Sequence, residues 1–245
     1  MSTIPASLQL WSVRDAVKAD FAATVQAVAD IGYAGVETAG YGNLDATAAA
    51  TAITAAGLKC SGMHVALARL RHEADEVLIE AKALGTSHVI CPFFPRELTT
   101  SAAAFVALGE ELDRIGAYFR AHGVALHYHN HEHEIARFDG RLGFDWLLDA
   151  ARPANLGCEP DVYWLTVGGK DPAAFLREQG RRAKLIHLRD KTEIGTGAVD
   201  FESVFAAADA VGAVEWYVVE VGEPSIEPLA AVRQSWEKLR SWGRV

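Results

Sequence analysis

Imidazoles and carboxylates recur in this chain where apolar runs end, and such spacing suits a bound cation. The run Val124–His129 passes into Tyr128, His129, Asn130, His131, Glu132, His133 and Glu134. Leu156–Asp161 ends in Glu159 and Asp161, and Lys184–Leu188 carries His187 and leads into Asp190 and Lys191. Tyr217–Val221 holds Glu220, with Glu223 just beyond, while Glu37 and His64 stand at two earlier run ends. Unpaired charge beside a core is penalised. Repeated charge at such places makes physical sense if the groups converge on a positive ion.

Taken singly, each has a plainer role. A lone histidine at a strand end is more often a hydrogen-bonded rim residue than a ligand. Asp161 could cap the turn that follows it, His187 could stack in a wall, and residues 129–134 could be a polar loop. Glu220, preceded by Tyr217, Val218 and Val219, is harder to place as packing. The combination over four runs argues for one divalent ion, and nitrogen and oxygen donors without sulfur suit Mn, Zn, Co, Fe or Mg alike. No His-Glu-x-x-His pair sits on a single helix, so the fold has to assemble the site. Cys60, Cys91 and Cys158 are scattered in apolar runs and read as buried thiols, with neither a disulfide framework nor a Cys-x-x-Cys zinc pattern.

The elements that would position these groups alternate regularly. Strands are expected at Ser7–Val13, Tyr33–Thr38, Lys59–Ala66, His88–Phe93, Val124–His129, Leu156–Asp161, Lys184–Leu188 and Tyr217–Val221. Helical spacing of apolar residues falls between them, at Asp20–Ile31, Leu44–Ala56, Glu73–Leu84, Ser101–Ala121, Phe144–Ala151, Pro172–Gln179 and Phe201–Ala210, with Ser235–Trp242 in the last helix. Such alternation indicates a parallel sheet with helical crossovers. The count of eight, and the lack of a Gly-x-Gly-x-x-Gly turn after the first strand, favour an α/β fold of the (β/α)8 TIM barrel type over an open doubly wound sheet. Residues 1–245 then form one domain, and chemistry belongs at the C-terminal ends of the strands.

Composition narrows the partners. The net charge is −9, from 23 Lys and Arg against 32 Asp and Glu, which opposes a nucleic-acid surface. The densest basic run, Arg181, Arg182 and Lys184, has Glu178 nearby and reads as a solvated helix end. Met1 to Pro5 carries no basic-then-apolar leader, and no run reaches the ~18–20 apolar residues of a membrane span. A cytoplasmic protein that does not bind membranes is expected. Trp242 and other late-helix apolar residues would serve a homo-oligomer interface or cover the barrel's outside equally well.

At this point the chain resembles the sugar phosphate isomerase/epimerase superfamily of xylose isomerase-like TIM barrels, in its Tyr-His-Asn-His subgroup. The resemblance is carried by Leu8-Gln9-Leu10-Trp11-Ser12-Val13-Arg14, by Gly32-Tyr33-Ala34-Gly35-Val36-Glu37, and by Tyr128-His129-Asn130-His131 with Glu134. It continues in Asp161-Val162-Tyr163-Trp164, Ile186-His187-Leu188-Arg189-Asp190-Lys191, Gly195-Thr196-Gly197 with Asp200-Phe201, and Tyr217-Val218-Val219-Glu220. It implies a metal held by one group from each of strands five to eight, the last three being Asp161, His187 and Glu220. Where the sugar epimerases place a glutamate in strand five, this chain is rich in histidine, and His129 and His131 are the candidates. Glu134 is expected to face the substrate or to support a ligand histidine.

The same resemblance implies an isomerase or epimerase acting on a small carbohydrate, a sugar or keto-sugar with or without phosphate, through a metal-stabilised enediolate. Glu220 would move the proton. The missing glutamate puts a two-carboxylate relay in doubt and points to a mixed Glu220–His129 pair. His64, Glu159 and Lys191 are candidates for substrate contact, and Trp11 and Trp164 for stacking on a sugar ring. The rival is a lyase or dehydratase of a keto-sugar or keto-inositol. A non-catalytic sugar-binding barrel and an apurinic-site endonuclease rank lower. The endonuclease would need a histidine where Trp164 stands.

Overall fold

The computed structural model describes residues 4–245; Met1, Ser2 and Thr3, part of the segment that bears on a leader, lie outside the described residues. Eight parallel strands form one sheet: β1 (Ala6–Gln9), β2 (Gly35–Thr38), β3 (Lys59–His64), β4 (His88–Cys91), β5 (Ala125–His129), β6 (Leu156–Glu159), β7 (Leu185–Leu188) and β8 (Trp216–Val219). Neighbours in the sheet run in the order β6-β5-β4-β3-β2-β1-β8-β7. Closure comes between β6 and β7, where Cys158 bridges Ala183, Asp161 bridges His187, and the His187 amide donates to the Pro160 carbonyl at 3.0 Å. That seam is sparse. Pro160 has no N–H to give, so a regular ladder cannot continue through it.

The strands are shorter than their apolar runs. β1 stops at Gln9 and the chain turns into a 3-10 segment, Leu10–Val13, started by the Gln9 side chain accepting the Trp11 amide at 3.0 Å. The helices are α1 (Arg14–Ala19), α2 (Phe21–Ile31), α3 (Ala46–Ala55), α4 (Leu67–His72), α5 (Ala74–Leu84) and α6 (Ala102–Ala121). After them come α7 (Gly143–Asp149), α8 (Val162–Val167), α9 (Pro172–Gln179), α10 (Phe201–Val211) and α11 (Pro228–Ser241). The short α4 and α8 come just after β3 and β6, and α1 comes after the 3-10 segment that follows β1; each has too few residues for a periodic pattern. A small antiparallel pair, Arg137–Phe138 with Arg141–Leu142, follows the histidine-rich loop.

Local chemistry sets the helix ends. Asp20, Asp45, Ser101, Asp161, Asp171 and Asp200 each accept amide hydrogen bonds as N-caps, and Gly32 closes α2 at φ 119°. Helix α6 meets its neighbours through glycine: a Cβ at Gly116 would stand 1.9 Å from the Asn155 carbonyl, and one at Gly109 would stand 2.3 Å from that of Leu147. The apolar core lies between sheet and helices, and the three cysteines are free and buried in it. Arg182 is no solvated helix end. Its guanidinium pins the carbonyls of Leu156 (2.7 Å) and Ala151 (3.1 Å) below β6. Trp242 packs on Phe201 and Phe205, with centroids at 5.5 and 5.9 Å, and so covers the barrel's outside. No helix among the described residues is long and apolar enough to cross a membrane.

Candidate metal centre and substrate cavity

The barrel interior is polar towards the strand C-termini, and neighbouring strands align its side chains. Gln9 is in register with Glu37 across β1 and β2, and His129 with Glu159 across β5 and β6. His129, Glu159, Asp161 and His187 are at most 1% exposed, and Glu220, just beyond β8, is 6% exposed. One donor atom from each of His129, Asp161, His187 and Glu220 lies within 4.8 Å of the others. A second such group, His64, His129, Glu159 and His187, overlaps it. His131 belongs to neither. Its ring stands edge-on to His129 with centroids 4.9 Å apart.

Three of the four converging groups are anchored through their other polar atom. Asp161 Oδ1 accepts the amides of Tyr163 (2.9 Å) and Trp164 (3.1 Å), so capping α8 leaves Oδ2 for the centre. His187 Nδ1 lies 3.0 Å from Glu220 Oε2, and its Nε2 lies 2.8 Å from Glu37 Oε1. Glu220 Oε1 accepts from Arg189 Nη1 at 2.8 Å. Carboxylate support behind a ligand histidine fixes the ring's tautomer and direction.

Glu37 is fully buried within the network. Its Oε1 accepts from Gln9 Nε2 at 2.7 Å and lies 2.8 Å from His64 Nε2 as well as from His187. Glu159, a candidate for substrate contact, sits below the cavity instead, with Oε2 3.3 Å from His64 and His187 and 3.6 Å from His129 Nδ1. Glu134 is likewise turned away: it accepts from the Tyr128 hydroxyl, takes the His131 amide at 2.8 Å, and lies 2.8 Å from His133 Nε2. It shapes the loop that presents His131. Lys191 is exposed and outside the cavity wall.

Gln9 and Arg189 were not singled out by spacing, and Asn130 was named only as part of the histidine-rich run. Asn130 Oδ1 takes the Asp161 amide at 3.0 Å and ties the two loops together. Arg189 stands two residues after His187, and period-two alternation along a strand would have placed it on the same face. Asp190, expected only as a strand-end acid, organises the next loop by accepting the amides of Gly195 (3.1 Å) and Gly197 (2.8 Å).

The electrostatics suit a site that binds a cation. Burial pushes the Asp161 carboxyl up to about 7, against the pull of Arg189. For Glu220, burial is outweighed by the hydrogen bond and charge of His187 and by Arg189, which hold it at about 2. Burial alone would make His187 less basic, but Glu159 and Glu37 raise it well above the ordinary histidine range. Burial and the neighbouring His187 and His131 hold His129 well below that range, so it presents a neutral imidazole. Buried Asp161 Oδ2, His129 Nδ1, Glu159 Oε1 and Glu37 Oε2 have no hydrogen-bond partner. Orphaned donors such as Asp161 Oδ2 and His129 Nδ1, on residues that converge with His187 and Glu220, are what a hard or borderline divalent cation requires. The residues present fit one.

Above the cluster opens a cavity of about 440 Å³. His129, His131, His64, Arg189 and Glu220 line its floor and sides, while Trp11, Phe93 and Trp164 supply aromatic wall. Trp11 is 52% exposed and Phe93 48%, and both stand at the mouth, Trp11 with the Arg14 guanidinium over one face, 5.1 Å from its ring centroid. Trp164 is covered on one side by the Arg189 guanidinium, 4.8 Å from its ring centroid.

Comparison with known proteins agrees with this architecture. The chain is 24% identical over 153 residues to inosose dehydratase of Geobacillus thermodenitrificans (strain NG80-2), covering 53% of this chain and 51% of that one. It therefore spans about half the length of that relative. A solved sugar phosphate isomerase/epimerase from Parabacteroides distasonis ATCC 8503 superposes with a TM-score of 0.86 at 23% identity, over 98% of this chain and 95% of that one. The 3-keto-D-glucoside 4-epimerase of E. coli superposes with a TM-score of 0.73 at 15% identity, over 97% and 99%. At such identities the structural likeness speaks for the fold alone. Residues 25–242 match the sequence family of xylose isomerase-like TIM barrels, and the protein belongs to that family.

Proposed function

We propose that the protein is a divalent-metal-dependent isomerase or epimerase of a sugar or keto-sugar. The observation that carries this reading is the convergence of His129, Asp161, His187 and Glu220 at the floor of an aromatic-walled cavity, with Asp161 Oδ2 and His129 Nδ1 buried and unpartnered. These four residues would hold the ion. When bound, it supplies Lewis-acid polarisation of a carbonyl and makes the adjacent C–H acidic.

The chain's own groups then do the positioning and the proton transfer. Trp11, Phe93 and Trp164 offer apolar faces to a sugar ring, and Arg189 and His64 offer polar edges. Glu220 is the candidate base. Arg189 and His187 keep it ionised, which is the form that accepts a proton. A carboxylate held that low takes a proton only from a strongly acidified carbon. Glu220, having taken the proton, can return it to the neighbouring carbon, whereas His129, held neutral and among the groups that would hold the ion, has no proton to give and serves in the wall as a ligand. Arg189 is the one Lys or Arg side chain lining the cavity among the described residues and is already paired with Glu220. His64, which burial would make less basic, is held up at about 9 by Glu37 and Glu159 and is already paired with those carboxylates. An unphosphorylated substrate suits that wall better than a sugar phosphate.

A lyase or dehydratase remains the second reading, favoured by the partial match to inosose dehydratase and by histidine at the strand-five position. The test is incubation with free keto-sugars and a panel of divalent ions in deuterated water. Metal-dependent deuterium incorporation with an isomeric product supports the isomerase. Loss of water or of an aglycone supports the lyase. No exchange with any sugar would leave a binding protein and sink both.

A further inference from the structure

We propose that Arg189 is a positioning residue that restricts Glu220 to one oxygen at the cation site, and that Gly222 keeps open the space it occupies. The inference rests on the reading of Glu220 as a metal ligand. Glu220 Oε2 faces the centre beside His187 Nδ1 at 3.0 Å, while Oε1 is drawn aside by Arg189 Nη1 at 2.8 Å. The guanidinium lies over the ring faces of Trp164 (4.8 Å) and Tyr163 (5.5 Å), so it cannot swing freely. Its opposite side rests on Gly222, where a Cβ would come within 2.2 Å of Nη2. Residue 222 therefore has to be glycine for Arg189 to reach this position.

Two consequences follow, with opposite signs for two observables. A fixed positive charge near the centre, 4.0 Å from Asp161 Oδ2, opposes cation binding. Holding back Glu220 Oε1 also denies the ion one ligand atom. Arg189 thus lowers ion affinity and keeps room beside the ion for oxygens of the substrate. A residue serving only to brace the site would have the contrary effect: its loss would weaken binding.

The test uses Mn(II) alone as probe, on the full chain. Arg189→Met should bind Mn(II) roughly tenfold tighter by calorimetry, and water-proton relaxation should show fewer exchangeable waters on the ion. Gly222→Ala, which keeps the arginine but displaces it, should shift both readouts the same way. Arg189→Lys, which keeps a charge but not the planar fork, should fall between wild type and Arg189→Met. If Arg189→Met does not fold, as judged by melting of the chelated protein, Gly222→Ala and Arg189→Lys carry the test. Equal or weaker Mn(II) binding, or an unchanged water count, in the folded variants overturns the inference. Failure of the wild type to bind Mn(II) instead overturns the metal reading on which it rests.

Discussion

Replacing Glu37 by glutamine removes a negative charge from beneath the centre and preserves the side chain's shape. Oε1 of Glu37 is the point where Gln9 Nε2 (2.7 Å), His187 Nε2 (2.8 Å) and His64 Nε2 (2.8 Å) meet. A glutamine can turn its oxygen to His187, but its amide nitrogen then lies where Oε2 now has no partner. A hydrogen bond to a charged group contributes roughly 1.5–3 kcal/mol against roughly 0.5–1.5 for a neutral one, so the contact to His187 loses about 1–2 kcal/mol. Converted to affinity that is about 5–30-fold, overlapping the about 10–100-fold by which loss of such an outer partner typically weakens metal binding. Titration of Mn(II) into chelated Glu37→Gln protein should therefore show a dissociation constant about 10–100 times that of wild type. An unchanged constant, in a background where His187→Ala abolishes binding, would refute the claim that Glu37 orients the ligand ring.

Other outcomes follow from the same contacts. Asp161→Asn should lose ion binding yet keep the cap on α8, whereas Asp161→Ala should lose both and melt lower by the equivalent of about 1 kcal/mol; calorimetry and melting of the chelated proteins separate the two. His187, raised well above the ordinary range by Glu159 and Glu37, carries a proton at neutral pH in the metal-free protein, and an ion has to displace it. Because Asp161, pushed up to about 7 by burial, is also partly protonated, ion uptake at neutral pH should release about one to two protons, and affinity should rise with pH through the neutral range; calorimetry in buffers of different ionisation enthalpy checks this. Gly116→Ala would stabilise an ordinary helix interior, but here the new Cβ meets the Asn155 carbonyl at 1.9 Å, so a loss of about 1–3 kcal/mol in urea unfolding is expected.

The barrel was legible from periodicity, which also put polar groups at the strand ends; that Asp161, His187 and Glu220 are the converging three came from the family resemblance. Apolar runs alternate with helical spacing, and Asp161, His187 and Glu220 stand where such runs end. At strand five the residue types left His129 and His131 open, since both are histidines of one loop-entering run. Register separates the two: His129 is the last residue of β5, opposite Glu159, and belongs to both groups of converging donors, while His131 belongs to neither. Strand-end position could not tell Glu159 or Glu134 from substrate-facing groups. Their burial depends on His64, His187 and Tyr128, partners on other strands or in an irregular loop. The role of Arg189 was hidden for a related reason, because its meaning lies in Glu220, Trp164 and Gly222, all distant in sequence.

The most direct test is a crystal structure of the protein soaked with Mn(II), with anomalous scattering recorded near the manganese edge. One strong peak bonded at about 2.0–2.3 Å to His129, Asp161, His187 and Glu220 is the predicted result. No peak at that cluster, or an ion held elsewhere with those four side chains uninvolved, would contradict the account.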